Sequence, residues 1–142
     1  MLVRSFQLSD YAEVTLLMEH SLCESCYHEV REAFARQLSL DSGLVLVTEI
    51  DEKLAGVVIG TIDNNNEGYC YRIAVHPQYR RQGIGSAMVH LLQDRFQQRK
   101  VNRILVPIDT HNEKALPLYE SLGYNIQNFT KALDKLKIVT GA

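Results

Sequence analysis

Three apolar runs set between short polar turns, and then an abrupt change of hydrophobic period, constrain what this chain can fold into more than any other feature. Residues 44–50 and 54–62 are β-branched apolar runs joined across Asp51, Glu52 and Lys53. Residues 69–75 form a third run after the turn Asn64, Asn65, Asn66, Glu67 and Gly68. Runs of this type with turn residues between them predict an antiparallel meander. From Gly83 the period becomes helical: Ile84, Ala87, Met88, Leu91, Leu92 and Phe96 fall at i, i+3, i+4, i+7, i+8 and i+12, one continuous stripe. A meander that feeds a strongly one-sided helix requires that helix to lie across the sheet.

The flanking segments complete the pattern. Residues 2–7 alternate as a half-buried strand does, and Ser9 and Asp10, with Glu13 three residues beyond Asp10, predict a capped helix start. Val14, Leu17, Met18 and Ser21 keep one face of that helix inward. After the break between Cys23 and Cys26, Val30, Ala33, Phe34 and Leu38 repeat the helical spacing to about residue 40. Residues 104–108 read as a strand with Pro107 inside it, tolerable at an edge, a bulge or a place where the ladder opens. Asn112 opens another helical pattern with Ala115, Leu118, Tyr119 and Leu122 on one face and Gly123 in the C-cap place; Pro117 requires this helix to begin nearer Leu116 or to kink. Residues 124–129 and 136–140 are candidate closing strands. The order β-α-α-β-β-β-α-β-α-β-β implies an α/β (α+β) domain with a mixed, mostly antiparallel sheet flanked by helices, not a doubly wound parallel sheet.

Composition narrows the function classes. The 142 residues, 46% apolar and 23% charged, with 8 Gly and 3 Pro, predict one folded domain spanning 1–142. No apolar run approaches the ~20 residues of a membrane span, and mean hydropathy is −0.14. The N-terminal residues lack the basic and apolar regions of a secretory signal, so a cytoplasmic location is expected. Fifteen Lys and Arg against 17 Asp and Glu give a net charge of −2, which provides no global field for a nucleic acid. Three cysteines argue against a disulfide framework. Cys23 and Cys26 have half-zinc-site or redox spacing, but no second ligand pair follows, so no metal is expected. Cys70, in an apolar strand, reads as a small core residue.

The chemistry is concentrated after residue 75. A strand ending at Val75 passes through His76, Pro77, Gln78 and Tyr79 to Arg80, Arg81 and Gln82, and then to a helix opening on Gly83, Ile84, Gly85 and Ser86. Glycines let backbone approach a bulky anion, and the unpaired N–H groups of a first helical turn point at it with the positive end of the helix dipole. This predicts a pyrophosphate cradle, with Arg80 and Arg81 adding charge beside it. A P-loop is excluded because no Lys-Ser/Thr pair follows Gly85. A dinucleotide fingerprint is excluded because Met88 stands in the third glycine place.

Arg80, Gly83 and Gly85 match the acetyl-CoA signature [QR]-x-x-G-x-[GA]. Asn112, Ala115, Leu118, Tyr119, Gly123 and Tyr124 match N-x-x-A-x-x-L-Y-x-x-x-G-[FY]. With both motifs in this order the sequence resembles the GCN5-related N-acetyltransferase (GNAT) superfamily, residue by residue over 73–87 and 112–124 and in element order over the rest. The resemblance implies that the strand over 69–75 carries a bulge and splays from the strand after residue 104, leaving a gap for the cofactor's thioester arm. It implies that backbone groups of Ile73, Ala74 and Val75 pair with the pantetheine amides, with the Val75 N–H polarising the acetyl carbonyl. The N–H groups of Arg81, Gln82, Gly83, Ile84, Gly85 and Ser86 would hold the pyrophosphate, Asn112 the pantetheine or a neighbouring backbone group, and the Tyr119 hydroxyl would face the CoA sulfur as general acid.

The chemistry implied is direct acetyl transfer from acetyl-CoA to a primary amine of a small molecule or peptide, without a metal or a covalent enzyme intermediate. An alkylamine must lose a proton to attack. Where many relatives of this type carry Glu this chain has Pro107, so the base is sought among Asp109, His111, His76 and water. The competing expectation is a non-catalytic acyl-CoA sensor, and a third is a plain phosphate binder, which gives no reason for the second motif. Glu19, Glu24 and Glu29 are possible attractors of a cationic acceptor. The resemblance also makes a homodimer an expectation.

Overall fold

The computed structural model describes residues 1–22, 24–108, 113–124 and 137–140. Six strands, β1 (Leu2–Ser5), β2 (Val45–Ile50), β3 (Lys53–Ile62), β4 (Gly68–Val75), β5 (Ile104–Ile108) and β6 (Lys137–Thr140), form one sheet in chain order. Neighbours are antiparallel except β4 and β5, which run parallel. Helices α1 (Tyr11–Ser21) and α2 (Glu24–Asp41) follow β1, α3 (Ile84–Gln98) crosses from β4 to β5, and α4 (Leu116–Ser121) follows β5. The mixed, mostly antiparallel sheet with flanking helices is the architecture that the element order implies.

Two cores lie on opposite faces. Val14, Leu17, Met18, Val30 and Phe34 of α1 and α2 pack on Val45, Val47, Val57 and Ile59. Ile84, Met88, Leu92 and Phe96 of α3 pack on Leu46, Val58 and Val106 on the other side. Because β2 and β3 are buried on both faces, they read as continuous apolar runs rather than as alternating ones. Burying each of these side chains contributes about 1.5–3 kcal/mol. The β2–β3 turn needs no glycine: Asp51 (φ 51°) and Glu52 (φ 65°) both adopt the left-handed region, which turns the hairpin with the hand of the strands.

Three local expectations take a different form. Asp10 does not cap α1; its carboxylate accepts two N–H bonds from Arg4 at 2.7 and 2.9 Å and one from the Gln7 backbone at 2.8 Å. A bidentate arginine and an N–H on a short 3-10 turn (Leu8–Asp10) outcompete the helix for the same oxygens. The helix expected from Asn112 is resolved as a 3-10 turn, Glu113–Ala115, and then α4, because Pro117 has no N–H and fits only the first turn. Of the two closing strands, β6 is present. Tyr124 lies outside any strand, and 125–129 are outside the described residues.

Candidate active site

The centre of the sheet is parted. β4 and β5 pair only at Gly68 with Ile104 and Tyr69 with Leu105. Beyond those two positions β4 stays with β3, up to Val75 opposite Gly56, while β5 stays with β6, up to Ile108 opposite Lys137. Pro107 falls in the parted stretch.

A bulge in β4 sits where the strands separate. Ile59 pairs with Arg72, but Gly60 pairs with Cys70, so Tyr71 is an extra residue. One inserted residue reverses the facing of everything after it. Cys70 accordingly joins the α3 core and Ala74 joins the α1/α2 core, although both numbers are even. Tyr71 and Arg72 come to lie side by side, with the Arg72 guanidinium carbon 4.5 Å from the centre of the Tyr71 ring.

After Val75 the chain turns tightly. His76 N–H donates to Ala55 O, and the His76 Nδ1 accepts the Gln78 N–H at 3.1 Å. Arg80 Nε donates to Val75 O at 3.2 Å. Arg81 (φ 64°) and Gly83 (φ 78°) both take the left-handed region, and α3 starts at once. Its first backbone bond runs from Ala87 N–H to Gly83 O, so the N–H groups of Ile84, Gly85 and Ser86 precede the helical ladder. The two glycines serve different needs. A Cβ on Gly83 would meet nothing within 4 Å, so glycine is required there by its φ. A Cβ on Gly85 would stand 2.9 Å from Leu118 Cδ2 and 3.5 Å from Ile73 Cδ1, so glycine there lets α4 close on α3.

A cleft of about 810 Å³ runs through the gap. One wall is the β4 edge at Ile73, Ala74 and Val75; its far end is Arg80, Arg81 and the α3 start from Gly83 to Ser86. Nine of the residues expected to hold the cofactor are thus together. Gln82 is exposed and does not line the cleft, and Asn112 lies outside the described residues, as do Asp109 and His111. His76 does not line it either. The sequence reading missed Arg72, Tyr79 and Lys114, together with Ser21, Leu22 and Cys26 at the α1–α2 junction. Only the bulge brings Arg72 to this face, and apolar spacing does not encode it. Among the described residues that line the cleft, four are cations and none is Asp, Glu or His. Among the described residues no cluster of His, Cys, Asp or Glu could hold a metal ion.

Tyr119 stands behind the cleft wall, fully buried, with its ring 5.6 Å from that of Tyr124 in an edge-to-face contact. Its hydroxyl has no hydrogen-bond partner among the described residues. Burial above all holds its pKa well above that of an ordinary phenol; Cys70 and Tyr124 push the same way and Arg72 opposes them. At neutral pH the hydroxyl therefore keeps its proton. Tyr124 differs in having a partner, since its hydroxyl accepts from Gln93 Nε2 at 2.7 Å. Burial pushes the Cys70 thiol up to about 12, which makes it inert.

A mixed sheet parted between its parallel strands, with a cationic helix start at one end of the gap, sets the architecture of this α/β domain. The Acetyltransferase (GNAT) family model matches residues 11–124, and the chain belongs to that family. An acetyltransferase of Yersinia pestis (strain Pestoides F) is 32% identical over 137 residues, covering 96% of both chains. Acetyltransferase YE1169 of Yersinia enterocolitica is likewise 32% identical over 137 residues, with 96% of both chains covered. The same fold occurs in the PaiA N-acetyltransferase of Thermoplasma acidophilum in complex with coenzyme A, at a TM-score of 0.76 and 14% identity over 99% of this chain and 97% of that one. It also occurs in the ribosomal-protein-S18-alanine N-acetyltransferase of Escherichia coli, at a TM-score of 0.66 and 23% identity over 98% and 89%. No helix among the described residues is long and apolar enough to cross a membrane.

Proposed function

We propose that this protein transfers an acetyl group from acetyl-CoA to a primary amine, directly and without a covalent enzyme intermediate. The observation that carries the reading is the parting of β4 from β5 after Tyr69 and Leu105, with the predicted cofactor residues around the gap. The residues fit CoA on three counts. The cleft is cationic and, among its described residues, free of carboxylates. Gly83 turns the chain into α3, whose first residues line the cleft with N–H groups that precede the helical ladder. The β4 edge at Ile73 to Val75 is not paired with β5 and can bond an extended amide chain as a strand would.

When bound, acetyl-CoA supplies the activated acyl group. Arg80, Arg81 and the N–H groups of Ile84, Gly85 and Ser86 hold its phosphates, and Ile73, Ala74 and Val75 fix the direction of its arm. The Val75 N–H would polarise the acetyl carbonyl. Tyr119 Oη, un-ionised and buried next to the cleft, would donate a proton to the departing thiolate, while water would take up the proton that the attacking amine loses. Holding both reactants in line contributes up to roughly 7–11 kcal/mol of the barrier reduction.

The test is thiol release from acetyl-CoA across a panel of amines, beside calorimetric titration of CoA. Binding of CoA with turnover of any amine supports the reading. Binding without turnover assigns a sensor instead, and absence of binding overturns the cofactor site.

A further inference from the structure

We infer that Lys114 is itself an acetyl acceptor: when acetyl-CoA fills the cleft and no outside amine is present, the protein acetylates its own Lys114 side chain. This rests on the cofactor reading above and deepens it by naming an amine that the chain carries at the site.

Three observations carry the inference. Among the described residues that line the cleft, Lys114 is the one primary amine; the other cations, Arg72, Arg80 and Arg81, are guanidiniums, which stay protonated and do not attack. Lys114 is exposed and makes no hydrogen bond or ion pair with a described residue. No described Asp or Glu lines the cleft to tie its ammonium down, and Glu19, Glu24 and Glu29 are exposed outside it. Its backbone is anchored close to where the two walls meet. Leu118, which also lines the cleft, packs there, since a Cβ on Gly85 would stand 2.9 Å from Leu118 Cδ2 and 3.5 Å from Ile73 Cδ1. Lys114 lies four residues before it, roughly 6–8 Å along a helical or 3-10 turn, a span that a flexible four-carbon stem covers.

The step needs nothing beyond the cofactor. Lys114 Nζ gives a proton to water and attacks the acetyl carbon; an N–C bond forms as the C–S bond breaks, and CoA leaves as thiolate and takes up a proton. The lysine ends as a neutral amide, so the cleft loses one of its four described cations. Confinement beside the bound thioester makes this amine react ahead of surface lysines of the same chemical type.

The experiment incubates the wild-type protein with acetyl-CoA and no amine, beside a second sample given acetyl-N-acetylcysteamine, which has the same thioester and no phosphates. Peptide mass spectrometry follows each lysine, with Lys53 and Lys100, exposed and outside the cleft, as internal references. With acetyl-CoA, Lys114 should be modified at least about tenfold faster than either reference, and excess CoA or use of the phosphate-free thioester should abolish that lead. The rate constant should not change when the protein is diluted, as a step within one molecule requires. Lys114→Arg, which keeps the charge and lacks the amine, should lose the fast single addition from the intact mass. A Lys114 rate equal to that of Lys53 and Lys100, the same lead with the phosphate-free thioester, or a rate that scales with protein concentration overturns the inference. CoA binding with turnover of an outside amine and no lead at Lys114 overturns the inference alone. A lead at Lys114 with no outside amine turned over keeps it and removes the outside amine as acceptor; absence of CoA binding overturns both.

Discussion

Gly83→Ala isolates the backbone requirement of the turn into α3, because the added methyl meets nothing within 4 Å and so brings no clash. What remains is φ. At +78° an L residue is in the left-handed region, at a cost of about 1–2 kcal/mol. Alanine also stiffens the unfolded chain, which offsets about 0.4–1 kcal/mol. The net loss is about 0.5–1.5 kcal/mol. With an unfolding entropy of about 2.1 cal/mol/K per residue, a chain of 142 residues changes ΔG by about 0.3 kcal/mol per degree, so Tm should fall by about 2–5 °C. Differential scanning calorimetry measures this directly. Gly83→Asn, whose side chain tolerates the left-handed region, should recover most of the loss, and CoA affinity should follow the same rank, Gly above Asn above Ala. An unchanged Tm for Gly83→Ala, or Asn performing worse than Ala, would refute the argument from backbone conformation.

Tyr119→Phe removes a buried hydroxyl that has no partner among the described residues, so it should raise stability by up to about 1–3 kcal/mol while lowering kcat, with CoA affinity unchanged; a fall in Tm or an unchanged kcat contradicts the role assigned to Oη. The Arg4 bonds hold the Asp10 carboxyl below the usual range, so it stabilises the fold above about pH 4 and that contribution is lost as pH falls through the depressed value. Asp10→Asn should therefore cost about 1.5–3 kcal/mol in urea melts at pH 7, with the gap to wild type closing as pH falls below about 4 and through the depressed value. Cys70, at about 12, is thiolate in about one molecule in ten thousand at pH 8, so a thiol reagent should modify it only at the rate of unfolding; rapid labelling of the native state would show that it is not sealed in the core.

Much of the architecture was legible because apolar spacing reports burial. The α3 stripe was read almost as it stands, with Ile84, Met88, Leu92 and Phe96 buried and Ala87 and Leu91 partly so. Val89 was missed because α3 packs not only on the sheet but also in one cluster with Leu116 and Tyr119 of α4, which widens its buried face. The end of the cleft at the α3 start was legible because its features fall on consecutive residues: a left-handed turn, a close helix approach and flanking cations. The end lined by Ser21, Leu22, Cys26 and Arg72 was not. It is assembled from α1, α2 and a β4 bulge far apart in the chain, and nothing in the spacing of Tyr71 and Arg72 announces that both face one way. Asp10 shows the same limit on a smaller scale, since its helix-capping pattern is real but Arg4, six residues earlier, takes the carboxylate.

An ordinary open sheet has two borders. Dividing this one down the middle gives it two more, facing inward, and bare strand borders invite any extended polypeptide, including a misfolded copy of the same chain. The slot is guarded by its own composition: proline at position 107 cannot donate to an intruding backbone, and the arginines at the rim repel basic segments. A slender anionic guest with a few amides along its length passes both filters, so molecules able to fill the breach are few, and one that does so also completes the sheet. Occupancy and resistance to unfolding are thereby tied together, and the protein is sturdiest when loaded for work.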